Sequence, residues 1–68
     1  MDWNIIEGRW KELKGKAREQ WGRITDDEFE QTKGKRDALE GVVQRVYGKT
    51  KDEVKREVDT WAESCNRP

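Results

Sequence analysis

An all-α fold is predicted: a small four-helix domain made of two αα-hairpins packed on one another. Three observations predict it. Apolar residues recur at helical rather than strand spacing, two capping boxes mark helix starts, and GRWKELKGKAREQWG at 8–22 returns as GKRDALEGVVQRVYG at 34–48. The offset of this internal duplication is 26 residues through Gly8/Gly34, Leu13/Leu39, Gly15/Gly41, Trp21/Tyr47 and Gly22/Gly48, and 25 at Thr25/Thr50 and Glu28/Glu53, because the second turn is one residue shorter. Each copy encodes a helix, a glycine cap, a tight turn and a second helix with its own capping box.

The first helix follows from Trp3, Ile6, Trp10, Leu13, Ala17 and Trp21, which are spaced by 3, 4, 3, 4 and 4 residues. At 100° per residue they fall within about 80° of arc, a narrow apolar stripe. One continuous helix is expected, with Asp2 capping its first amides and Gly22 as a left-handed C-terminal cap.

The second helix has an unusually complete start. Thr25 and Glu28 form a capping box, Ile24 and Phe29 occupy the staple positions, and Asp26 and Asp27 place negative charge at the positive end of the helix dipole. It begins near Asp26 and stops around Lys33, because Gly34 follows. The third helix runs from about Lys35 to Tyr47, with Ala38, Leu39, Val42, Val43 and Val46 on its buried side and Gly48 as its cap. Thr50 and Glu53 then open the fourth, whose stripe is Val54, Val58, Trp61 and Cys65. Pro68 closes the chain.

Charge repeats with the duplication. Residues 8–23 carry six basic and two acidic side chains and residues 24–32 four acidic ones; residues 33–51 again carry six basic and two acidic, and residues 52–63 two basic and five acidic. The first helix of each hairpin is therefore basic and the second acidic, so the two attract each other without any ligand, though exposed pairs contribute only ~0.2–1 kcal/mol each.

Composition sets the limits. With 68 residues, 31% hydrophobic and 44% charged, the chain is one domain of marginal stability. A net charge of zero, four tryptophans and the clean periodicity favour a folded domain over 1–62 with a frayed tail at 63–68. Cys65 is the only cysteine and there is no histidine. An internal disulfide, zinc sites, and Ser-His or Cys-His catalysis are thereby excluded. No catalytic, cofactor-binding or metal-ligating residue is predicted, and no cofactor. No D-x-D-x-D-G calcium loop occurs, and the G-K-R and G-K-T triplets lack the rest of a phosphate-binding loop. The chain lacks an apolar run of membrane-spanning length and its N-terminus does not read as a signal peptide, so a cytoplasmic protein is expected.

Two features could form an interaction surface. Lys11, Lys14 and Arg18 line one helix edge at i, i+3 and i+7 and could track a phosphate backbone, although zero net charge makes steering weak and a solvated face the better reading. Gly15 and Gly41 lie mid-helix, where a glycine costs roughly 1 kcal/mol relative to alanine. Either another helix or a second molecule approaches closely there, or the chain is kept weakly folded. Four tryptophans could stack on single-stranded nucleic acid, but each shares a stripe with aliphatic residues, which is how core tryptophans look.

On the blocks WNIIEGRWKELKGKAREQWG (3–22), ITDDE (24–28), GKRDALEGVVQRVYG (34–48) and KDEVKREV (51–58), the chain resembles the CsbD-like family of small bacterial general stress-response proteins. The resemblance covers about residues 1–62. Val43 and Val46, where more polar residues are expected, and the tail from Ala62 depart from it. It implies abundant cytoplasmic proteins induced in stationary phase or by osmotic or oxidative challenge, with two α-hairpins packed crosswise, and a likeness to the very hydrophilic, glycine-rich hydrophilins. It carries over no catalytic residue and no ligand. It names a circumstance rather than a mechanism; the 44% charge, the six glycines and the absence of catalytic side chains lead to the expectation of non-enzymatic protection of stress-labile client proteins or other macromolecules by a monomer or weak homodimer. The alternative is a small binding module for nucleic acid or a protein partner, nucleic acid being the weaker choice.

Overall fold

The computed structural model describes residues 3–66, and every regular element within them is a helix: α1 (Trp3–Gly8), α2 (Lys14–Gln20), α3 (Asp26–Gln31), α4 (Arg36–Tyr47) and α5 (Lys51–Asn66). The all-α expectation holds, but the described residues form five helices rather than four, because the first helix is broken at 9–13. Glycine at position 8 is a poor helix former, and beyond it the chain tightens. The Trp10 N–H bonds to the Glu7 carbonyl at 3.2 Å, and the Leu13 N–H is shared between the Arg9 and Trp10 carbonyls at 3.0 and 3.2 Å. Such i to i−3 bonding keeps side chains on nearly the same face. The stripe therefore survives the break, and Ile6, Trp10, Leu13, Ala17 and Trp21 are all buried.

Gly22 is not a left-handed cap. Trp21 itself ends α2 in a non-helical conformation (φ −129°, ψ 78°), its N–H bonding the Ala17 carbonyl. Gly48 does take the expected left-handed conformation at φ 64° and donates to the Gln44 carbonyl at 2.8 Å. The Asp2 cap and Pro68 lie outside the described residues.

Both capping boxes are formed. The Glu28 N–H donates to Thr25 Oγ1 at 3.1 Å while Glu28 Oε1 accepts from the Thr25 N–H at 3.2 Å, and Glu53 and Thr50 repeat the exchange. α3 ends at Gln31, short of Lys33. Thr32 is buried there, its Oγ1 donating to the Phe29 carbonyl at 2.6 Å, and Lys33 and Gly34 follow with φ of 54° and 79°. Two successive left-handed residues reverse the chain. For Lys33, which has a Cβ, that conformation costs roughly 1–2 kcal/mol.

On α4 only Leu39 and Val43 are fully buried; Val42 and Val46 are half-buried, and Ala38 is exposed, against expectation. α4 packs chiefly on α5, so one narrow stripe suffices. α5 is the central element, touching α1, α2 and α4, while α2 also packs on α3. It continues past the expected boundary at residue 62, with Ala62 and Cys65 buried alongside Val54, Val58 and Trp61.

Three of the tryptophans, Trp10, Trp21 and Trp61, are buried in the core, and the half-buried Trp3 packs against it. Trp61 lies at the centre, its ring centroid 6.3 Å from Trp3, 6.1 Å from Trp10 and 5.4 Å from Trp21, and Trp10 stacks on Phe29 at 4.1 Å. Around this core the charge alternation resolves into ion pairs between elements. Lys14 and Arg18 of α2 meet Asp26 and Glu30 of α3, Arg45 of α4 meets Glu28, and Arg36 meets Asp59 of α5.

Candidate functional site

The sequence-predicted surface residues are distributed rather than gathered. Lys11 lies in the turn that precedes α2, so Lys11, Lys14 and Arg18 do not share one helix. Lys14 Nζ is 3.0 Å from Glu30 Oε1 and 3.9 Å from Asp26, and the Arg18 guanidinium is 2.9 Å from Asp26. The hydrogen bond from Lys14 to Glu30, and the charges of Glu30 and Asp26, push its ammonium above the ordinary lysine range. Two of the three cations are thus engaged by α3, and only Lys11 is left facing outward.

Gly15 and Gly41 are exposed, and a Cβ built on either meets nothing within 4 Å. No helix of the same molecule approaches them. The close approach is at Gly34, where an added Cβ would lie 2.7 Å from Glu7 Cγ and 3.3 Å from Glu7 Cα. The Trp3 indole N–H donates to the Gly34 carbonyl at 2.7 Å on the same seam. Periodicity could not single out Gly34 from its repeats; its place after the end of α3 is the only local signal.

A second polar feature ties the two repeats. Glu57 of α5 accepts from the Trp21 indole N–H at 3.0 Å and from Lys49, while the Tyr47 hydroxyl accepts from the Arg23 N–H at 3.0 Å. The aromatic residue at each end of the duplication therefore hydrogen-bonds into the other copy. Burial opposes ionisation of Glu57, but the bonds from Lys49 and Trp21 outweigh it and hold the carboxyl below the ordinary range. Lys49 is raised in turn by its bond to Glu57. Three indole N–H groups have acceptors; that of Trp61 is buried with none.

A groove of about 680 Å³ lies at the α1–α2 break, with Gly8, Arg9, Trp10, Lys11 and Lys33 among its lining residues. Gly8 lacks any neighbour within 4 Å of an added Cβ, so the groove is open at that point. Burial pushes the Cys65 thiol up, outweighing the nearby charges of Lys16 and Arg9, so it stays protonated and a poor nucleophile near neutrality. Among the described residues no three His, Cys, Asp or Glu side chains are grouped to hold a metal ion, and no helix is long and apolar enough to cross a membrane.

Residues 4–56 match the profile of the CsbD-like family. The chain is 46% identical to a UPF0337 protein of Nitrosomonas europaea over 97% of its own length and 70% of that protein's. It is 51% identical to a UPF0337 protein of Rhodopseudomonas palustris, covering 90% of this chain and 92% of the relative. With the UPF0337 protein YjbJ of Escherichia coli it shares 52% identity over 79% of this chain and 78% of the relative. No solved structure matches the chain.

Proposed function

The chain belongs to the CsbD-like family, and on that premise we propose a non-enzymatic, cytoplasmic, hydrophilin-like bacterial protein that protects other macromolecules under osmotic, desiccation or stationary-phase stress. One observation carries this reading: the surface is almost wholly charged or polar, Ile5 being the one large hydrophobic side chain exposed among the described residues, and opposite charges are paired across it at zero net charge. Such a surface tolerates crowding without self-adhesion, because it offers no apolar patch to a neighbour. The protonated Cys65 thiol adds support for a role without covalent chemistry.

In this reading the fold is two hairpin-like copies, α1–α3 and α4–α5, set crosswise. Matching burial at the duplicated positions Leu13/Leu39, Ala17/Val43 and Phe29/Val54 supports it. The test is to dry or freeze a labile enzyme with this protein in large excess. Recovered activity well above that given by an equal mass of an inert protein is expected. Equal recovery would sink the protective role.

The exposed Gly15 and Gly41, with open space beside both, favour a second reading, a weak homodimer or protein-binding module. Concentration-dependent sedimentation that Gly15→Glu abolishes is its signature. A nucleic-acid surface has less support, since Asp26 and Glu30 already hold Lys14 and Arg18.

A further inference from the structure

We propose that the groove at the α1–α2 break is a binding site for multivalent phosphate, with Lys11 and Lys33 as its principal cations. The argument rests on which charges in the groove are already satisfied. Each of its three carboxylates has a cation partner: Glu7 is 3.3 Å from Lys35, Glu12 is 3.1 Å from Arg9, and Glu30 is 3.0 Å from Lys14. Lys11 and Lys33 line the same groove, are exposed, and have no ion-pair partner among the described residues. Two positive charges are left over in a concavity of about 680 Å³, a size suited to a small molecule.

Lys33 adds an independent observation. It is the only non-glycine described residue with positive φ, at 54°, a position where glycine or asparagine would be less strained. Strain held at a lysine on a groove rim is the pattern expected where a side chain is kept for binding rather than folding. The duplication makes the same point. Gly34 is covered by the side chain of Glu7, whereas its counterpart Gly8 is left uncovered, and the counterpart of Glu7 is Lys33, which lines the groove instead.

The ligand class follows from the walls. Trp10 forms part of the lining but is only 8% exposed, so little apolar surface is available to hold a ligand's body. Recognition must act through charge, and two separate ammonium groups suit an anion with several charged groups in a row. Inorganic oligophosphate and a nucleoside triphosphate share that chemistry.

The test is titration of the intact protein with inorganic triphosphate at low salt, followed by amide chemical shifts. Saturable one-site binding is expected, with shifts centred on Gly8–Glu12 and Lys33. Lys11→Ala and Lys33→Gly should each weaken it about tenfold, while Lys55→Ala, an equal change of charge on α5, leaves it unchanged. Lys33→Gly should also raise the melting temperature, so weaker binding by that variant cannot be put down to unfolding. ATP in place of triphosphate separates the sources: equal affinity assigns the site to the phosphate chain, and tighter binding of ATP assigns it to a nucleotide. No saturation, shifts centred on Lys14 and Arg18, or equal weakening by Lys55→Ala would each overturn the proposal.

Discussion

The indole N–H of Trp21, at the end of α2, donates to the carboxylate of Glu57 in the middle of α5 at 3.0 Å. Trp21 is 1% exposed, so in the fold this donor relies on Glu57 rather than on solvent for its partner. Glu57→Ala is expected to lower stability by about 1–3 kcal/mol, the range for stranding a buried polar group. Glu57→Gln, which retains an oxygen acceptor, should recover most of that loss. Urea unfolding of the two variants decides it, and equal destabilisation would show that the charge to Lys49 matters rather than the bond to Trp21.

The two central tryptophans should respond differently to removal of the same N–H. Trp21→Phe deletes a hydrogen bond and loses ring volume, whereas Trp61→Phe loses similar volume while removing a buried donor that has no partner. The Trp61 variant is expected to be the less damaged by about 1 kcal/mol, read from thermal unfolding. A larger loss at Trp61 would mean its N–H is satisfied by a neighbouring ring face.

Gly34→Ala should destabilise by about 1–3 kcal/mol, because the residue has positive φ and an added methyl group meets Glu7. Gly41→Ala should do the reverse and stabilise by about 0.5–1 kcal/mol, since nothing lies within 4 Å of the new atom and the position is mid-helix. Denaturant midpoints measured side by side test the contrast. If Gly41→Ala also stabilises a dilute sample but weakens self-association, the glycine serves a second molecule.

Stability should hold near neutrality and fall on both sides. Glu57 is depressed in the fold, so its contribution is present above the ordinary carboxyl value of 4.5 and is lost as pH falls through the lower folded value. Cys65 is raised, so its contribution is present below the ordinary thiol value of 9.0 and is lost as pH rises past it. Lys14 and Lys49, also raised, follow at higher pH, beyond 10.5. Melting temperature against pH should show this plateau, and Cys65→Ala should remove the first part of the alkaline decline.

What could be read from the sequence was local or periodic. The two capping boxes, the Gly48 cap and the burial of all the stripe residues on α2 and α5 depend on neighbours within four positions, and they stand in the fold as expected. The break between α1 and α2 is hidden from the periodicity, because a tightened turn preserves the spacing of Ile6, Trp10 and Leu13, and Gly8 is its one local signal. Gly22 and Gly48 occupy equivalent places yet differ, since the fully buried Trp21 leaves the helical conformation itself whereas the half-buried Tyr47 is still helical. The exposure of Ala38 reflects which side of α4 faces α5, a tertiary choice. The Gly34–Glu7 contact and the meeting of Lys11 with Lys33 in one groove join positions more than twenty residues apart, and no single-sequence pattern encodes them.

The placement of Trp61 makes the core depend on both halves of the duplication at once. Its ring is within 6.3 Å of those of Trp3, Trp10 and Trp21, so the indoles of the first third of the protein close around a residue near the far end. Without α5 the leading helices would keep only local contacts, such as the stack of Trp10 on Phe29 and the packing of α2 on α3, and would lose the ring on which three indoles converge.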